Sequence, residues 1–256
     1  MAALETYSPF TTQETAVAPL LSKGKRQDER FPEEFRQIFI KTGTVSSAAG
    51  SAYVEFKDTK VMCSVFGPRK ALRTNAVSAD GQLNCDVRFA TFAAAQRQRF
   101  VQGTLERDCT TLLQNALEGA VIRESFPKAS VDVQVLVLEA NGGEAPAIIT
   151  CASAALAHAG IQMRDLVTAC SAAHVGEELL LDPTDGEERR AEGAFFLALM
   201  PQSNEVTHLS LTGEWTPQSM AEAMELCTDG CVGLDSLVRD CLRATPPSRN
   251  TKAKGT

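Results

Sequence analysis

The chain has 256 residues, 44% hydrophobic and 22% charged, which suits one compact domain or two small ones with a sizeable core. No run approaches the length of a membrane-spanning helix, and the first 25 residues lack a cationic start followed by an apolar stretch, so neither a membrane span nor a secretory leader is expected. A net charge of −7 excludes a polycation, so any contact with nucleic acid has to come from a local patch or from partner chains.

Residues 1–25 and 245–256 read as flexible tails, and no Pro/Gly/Ser-rich linker divides residues 26–244, which favours a single domain. Strands are expected over residues 37–45, 51–56 and 60–66, the last two joined by the turn Lys57-Asp58-Thr59, and again over 83–89. From Thr104, the recurrence of Leu105, Cys109, Leu112, Ala116 and Ala120 predicts an amphipathic helix. Val131, Val133, Val135 and Val137 alternate at period two and predict a strand over 130–139. Residues 147–158, small and apolar and followed by Gly160, predict a buried helix. Further strands are expected over 162–173, 194–200 and 206–211.

Thr216-Pro217 marks a helix start. Met220, Met224, Cys227, Cys231, Leu234, Val238 and Cys241 then recur at spacings of four and three, with Glu222, Glu225, Asp229, Asp235 and Arg239 off the stripe. Cys227 and Cys231 have metal-ligand spacing. Without a His or another Cys close by in sequence they read as small hydrophobes in a core stripe. The eight cysteines (Cys63, Cys85, Cys109, Cys151, Cys170, Cys227, Cys231 and Cys241) form no C-x-x-C pair, a pattern of reduced intracellular thiols rather than a disulfide framework. The mixture of strand meander and helices gives an α+β architecture.

The most informative stretch is Leu138-Glu139-Ala140-Asn141-Gly142-Gly143-Glu144-Ala145-Pro146. A strand, a Gly-Gly turn and a helix start together offer backbone N–H groups and a positive dipole end to an anion. Here the turn carries a carboxylate, Glu144, and no Arg or Lys. That fixed negative charge repels phosphate and can itself satisfy the helix end.

Arg26-Gln27-Asp28-Glu29-Arg30, with Glu34 and Arg36, resembles the opening R-x-D-G-R-x-x-x-E-x-R of the RNase PH family, Glu29 standing where that pattern has glycine. Gly50-Ser51-Ala52 resembles its G-S-A hairpin, Phe66-Gly67-Pro68-Arg69 its G-P-R turn, and Asn141-Gly142-Gly143 its D-G-G turn. Leu181-Asp182 through Met200-Pro201 spans its acidic segment, so the resemblance runs from Arg26 to Arg243. Within that family, Phe126-Pro127-Lys128, Leu181-Asp182-Pro183-Thr184 and Gly213-Glu214-Trp215-Thr216 look like the mRNA-transport-regulator type of eukaryotic RNA exosome ring subunit, plant members above all. The resemblance implies a ribosomal-protein-S5-like β-α fold. It also implies partnership with other RNase PH-like subunits in a six-membered ring, S1/KH-type cap subunits, RNA threaded through the channel, and residence in nucleus, nucleolus and cytoplasm.

Phosphorolysis needs cations to hold phosphate against a charged substrate and acids to place a proton or metal at the leaving oxygen. Active members of the family carry T-R or S-R after the D-G-G turn, where this chain has Glu144 and Ala145. They carry S-R-R before the central helix, where it has Gly103-Thr104-Leu105, and two aspartates in the acidic segment, where it has Glu188 and Ala194. The resemblance therefore implies a catalytically inactive subunit without cofactor or metal. The alternatives are an active phosphate-dependent 3′-to-5′ exoribonuclease drawing its cations from Arg189 and Arg190, and a small-molecule kinase on the same fold. For the kinase no G-x-x-x-x-G-K loop exists. Arg97 and Arg99, in a basic loop flanked by Phe92 and Phe100, are the expected RNA contacts; solvated pairing with neighbouring subunits is the competing role. Arg69, Lys70 and Arg73 form a second basic run. His158, His174 and His208 read as structural.

Overall fold

The computed structural model describes residues 21–22, 25–70, 81–94, 97, 102–176 and 178–244. A short antiparallel pair, β1 (Leu21–Ser22) and β2 (Lys25–Arg26), opens it inside the stretch expected as a tail. The remaining tail residues lie outside the described ones. β3 (Ile38–Thr42), β4 (Gly50–Phe56) and β5 (Thr59–Lys70) follow as an antiparallel meander. β5 runs beyond the expected end at Phe66, through a register shift between Phe66 and Arg69.

β6 (Gln82–Phe89) connects through helix α1 (Thr104–Glu118) to β7 (Ala129–Glu139), with which it pairs in parallel. The five-stranded sheet has the order β3-β4-β5-β7-β6. The inward face of β7 is the valine stripe Val131, Val133, Val135 and Val137, all buried, each contributing about 1.5–3 kcal/mol of transfer free energy.

α2 (Glu144–His158) starts three residues before the expected helix and is buried from Pro146 to Leu156. It lies between this sheet and a second one. Its Cys151 Sγ donates to Ala52 O of β4 (3.4 Å). Its Ser153 Oγ accepts the Val167 N–H (2.8 Å), beside the first strand of the second sheet. Small residues make this possible: Ala152, Ala154 and Ala155 let both layers close onto one helix.

That second sheet comprises β8 (Thr168–Val175), β9 (Glu178–Leu181), β10 (Gly193–Met200) and β11 (Glu205–Gly213), in the order β11-β10-β8-β9. A one-turn helix, α3 (Asp185–Glu188), sits between β9 and β10. The long helix α4 (Pro217–Ala244) covers β8 and β10 and reaches β3. The α+β class expected from the sequence is the class observed.

Three expectations are corrected. The strand expected over 162–173 is confined to β8; Met163 makes only an isolated bridge with Val121, and Asp165 caps a turn through Leu166 N–H and Gln202 N–H (both 2.8 Å). An apolar run does not separate strand from packed loop. On α1 the buried face is Glu106, Cys109, Leu113, Ala116 and Leu117, while Leu105 is 56% exposed. The Glu106 carboxylate accepts Phe89 N–H (2.9 Å) and Gly103 N–H (2.8 Å), binding the helix start to the end of β6. On α4, Met220 and Met224 are each 41% exposed and burial begins at Ala223. Cys227 and Cys231 are fully buried, and the Cys231 thiol donates to Thr168 O (3.6 Å), as core residues do.

A buried ion pair ties the segment before β3 to the loop after β9. Arg36, 2% exposed, donates from Nε and Nη2 to the two oxygens of Asp182 (2.8 and 2.6 Å) and also to Asn141 O and Gly142 O (2.9 Å each). Removing one partner of a buried pair leaves an uncompensated charge. Arg36→Ala is expected to lower the unfolding free energy by about 3–5 kcal/mol in urea titration, and the apolar pair Arg36→Met with Asp182→Leu to lower it by less.

Candidate functional site

The site is built on the turn between β7 and α2. Gly142 and Gly143 both take left-handed backbone angles (φ +80° and +65°), and no side chain fits at either. A Cβ on Gly143 would lie 2.6 Å from Arg36 Nη2, and one on Gly142 would lie 2.5 Å from the Asp185 nitrogen. The glycines are therefore demanded by the loop packed behind the turn, whatever occupies its front.

That loop is 181–188, and the opening arginine motif fixes it. Arg26 pairs with Glu187 and reaches Asp182 O (3.0 Å). Arg30 bonds Asp28 Oδ2 (2.5 Å) and lies 3.7 Å from Asp182. Glu29, in the place of the resembled glycine, holds a left-handed φ of 67°. Burial alone would raise the Glu187 carboxyl, but the hydrogen bonds from Arg26 and the Thr184 N–H hold it below its ordinary value.

The front of the turn is filled from within the chain. Gly142 N–H donates to Glu144 Oε1, and Gly143 N–H to Glu188 Oε1, each at 3.0 Å. Two carboxylates thus accept the N–H groups that a bound anion would use. Burial pushes the Glu188 carboxyl up to about 7; the Gly143 N–H opposes that shift and the neighbouring Glu144 adds to it.

Both carboxylates border a cavity of about 330 Å³. Its walls include Phe89, Leu105, Cys109, Leu112, Pro146, Phe195 and Phe196, with Asp108, Ser171, Ser210 and Thr212 among the polar groups. All four positions singled out from the sequence, Glu144, Ala145, Glu188 and Ala194, line it together, and so does Leu105. No Lys, Arg or His is among its described lining residues. Burial pushes the Cys109 thiol up to about 12, so it is no nucleophile at neutral pH.

The other sequence candidates lie elsewhere. Arg189 pairs with Asp185 (2.8 Å). Arg190 lines a separate pocket of about 320 Å³ with Asp28, Lys57 and Glu187. Arg97 is exposed, as is Phe92 (70%), while Arg99, Phe100 and Arg73 lie outside the described residues. Arg69 stacks over Phe66 (5.1 Å) and Lys70 is exposed. His158 Nδ1 accepts Ser51 N–H (3.3 Å), His174 packs on Trp215 and His208 on Phe196. Sequence reasoning missed Asp108, Ser171, Ser210 and Thr212, which come from four different positions on α1, β8 and β11; their distant spacing carries no signal.

Residues 34–162 match domain 1 of the 3′ exoribonuclease (RNase PH) family, and residues 165–230 match domain 2. The chain belongs to the RNase PH family. The exosome complex component RRP41-like of Arabidopsis thaliana is 43% identical over 246 residues, covering 94% of each chain. The Homo sapiens exosome complex component MTR3 is 37% identical over 241 residues, covering 88% of this chain and 89% of that one. Among solved structures, rice (Oryza sativa) Rrp46 superposes with a TM-score of 0.73 at 21% identity, covering 86% of this chain and 99% of its own. An Archaeoglobus fulgidus exosome chain, from a structure with RNA bound to the active site, gives a TM-score of 0.73 at 19% identity, covering 83% and 92%. At such identities the structures speak for the RNase PH fold, which this chain shares.

Glu188 makes folding pH-dependent. Its native value of about 7 lies above the ordinary 4.5, so between those values the folded chain holds a proton that the unfolded chain has released. This group's contribution to stability therefore falls as pH rises through that window and is constant above it. Glu188→Gln is expected to raise the melting temperature relative to the parent at pH 8 and to change it least near pH 4.5. Partial solvent contact keeps the gain modest. Scanning calorimetry across pH 4.5–8 checks the trend.

Proposed function

We propose that this chain is a catalytically inactive structural subunit of an RNA exosome core ring. In that role it scaffolds the channel for 3′-to-5′ RNA processing and degradation, including rRNA processing, mRNA turnover and RNA surveillance. One observation supports the inactivity: Glu144 and Glu188 accept the Gly142 and Gly143 N–H groups, in a cavity with no cation among its described lining residues. Phosphorolysis brings a doubly charged nucleophile to a charged backbone, and losing two or three cationic contacts removes several kcal/mol of transition-state stabilisation, or many orders of magnitude in rate. Arg189 and Arg190, the substitute cations of the rival nuclease reading, do not line the cavity.

Membership of a ring is supported by the relatives named as exosome components, at 43% and 37% identity over nearly their whole lengths. The surface fits such a role. β11 is an edge strand with Val206, Leu209 and Leu211 exposed (45%, 43% and 36%), and α4 adds exposed Val232 and Leu237. In the proposed ring the chain is of the mRNA-transport-regulator type, beside other RNase PH-like subunits and beneath S1/KH-type caps. Arg97 and Arg99 meet RNA phosphates in the channel without sequence preference. Nucleus, nucleolus and cytoplasm are the compartments that follow.

Expressed alone, the chain is expected to self-associate or precipitate, and co-expression with an RNase PH-like partner to restore solubility. The tagged chain at native levels is expected to co-purify with RNase PH-like and S1/KH-type proteins. Light scattering that shows a well-behaved lone monomer at micromolar concentration, with no such proteins in the eluate, contradicts ring membership.

A further inference from the structure

We infer that the cavity bordered by Glu144 and Glu188 is a binding site for a small organic cation with an apolar body, such as an aryl or alkyl amine or amidine. The inference rests on the lining alone and holds whether or not the chain sits in a ring.

Three features converge. About 330 Å³ is within the range of pockets that hold small organic ligands, and much of the wall is apolar: Phe89, Leu112, Phe195 and Phe196. Among the described lining residues the charge is all of one sign, carried by Asp108, Glu144 and Glu188. The nearby guanidinium of Arg36 lies behind Gly143 and is committed to Asp182 and to the turn carbonyls. Third, the Ser171 hydroxyl oxygen is buried with no hydrogen-bond partner among the described residues. Ser171 lines the same cavity, so it offers a polar group for a ligand to engage.

Glu144 is half-buried and Glu188 keeps solvent contact, yet both face an apolar wall, where a cation's charge is less screened than in open water. An ammonium or amidinium group pairs with Glu144 and Glu188 while its hydrocarbon part covers the phenylalanines. An anion meets the same carboxylates as repulsion. A hard metal ion, which keeps oxygen ligands and water, matches these walls poorly.

The test uses the full chain, alone or with the co-expressed partner that keeps it soluble. Benzamidine and phenethylamine are titrated by calorimetry or ligand-observed NMR, beside the neutral analogues benzamide and phenethyl alcohol. The cations are expected to bind at one saturable site and the neutral analogues about tenfold more weakly or worse. Glu144→Gln and Glu188→Gln are each expected to weaken the cations by roughly five- to tenfold. Ala194→Phe, which fills the cavity, is expected to abolish binding while its melting transition reports a folded protein. Equal affinity for the neutral analogues, indifference to both Gln variants, binding that survives Ala194→Phe, or no binding at millimolar ligand each overturns the inference. Phosphorolysis by the parent bears on the proposed function and leaves this outcome separate.

Discussion

A guanidinium shielded from water organises this molecule. Arg36 holds both oxygens of Asp182 and the carbonyls of Asn141 and Gly142, so the end of β7, the start of α2 and the loop after β9 meet at one charge. Its hydrogen bonds are what make burial tolerable, because a buried ion is stable only when nearly all its donors are used. The local geometry follows from that demand. Gly142 and Gly143 must lack side chains because Arg36 and the loop backbone occupy the space a Cβ would need. With Arg26 holding Glu187, α3 is fixed where its Glu188 can reach the Gly143 N–H.

This arrangement separates the shape of an anion site from its chemistry. The shape depends on buried residues whose loss would unfold the region. The chemistry depends on side chains at the front of the turn, Glu144, Ala145, Leu105, Glu188 and Ala194, which the fold does not require to be cationic or acidic. Such positions can exchange charge for bulk at little structural cost. Here they line an acidic, largely apolar cavity. The helix start remains satisfied because Glu144 supplies the negative charge that the dipole favours.

Much of this was legible in the sequence, for identifiable reasons. The valine stripe of β7 and the small-residue run of α2 have unambiguous periodicity, and the structure follows both. Glu144, Ala145, Glu188 and Ala194 could be aligned with a known pattern, and folding gathers them in one cavity. Other features depend on tertiary contact. Nothing local distinguishes Glu106, a buried carboxylate serving two backbone N–H groups, from an exposed helix glutamate. The loop at 162–167 reads as strand because it is rich in apolar residues, yet its pairing stops at a single bridge between Met163 and Val121. The exposed Met220 and Met224 continue a helical stripe past the sheet it was expected to cover. Asp108 and Ser171 join the cavity only because α1 and β8 are brought together across α2.

The central claim is that the chain's own carboxylates hold the anion seat, and isothermal titration with inorganic phosphate tests it most directly. The parent is expected to give no binding heat. Glu144→Thr with Ala145→Arg removes one negative charge and adds one positive charge, a change worth roughly 1–4 kcal/mol for a phosphate at a partly buried site. That double variant is expected to bind phosphate measurably, yet to release no nucleoside diphosphates from RNA while Leu105 and Ala194 remain. Phosphate binding by the parent, or phosphorolysis by the parent in the same buffer, contradicts the account.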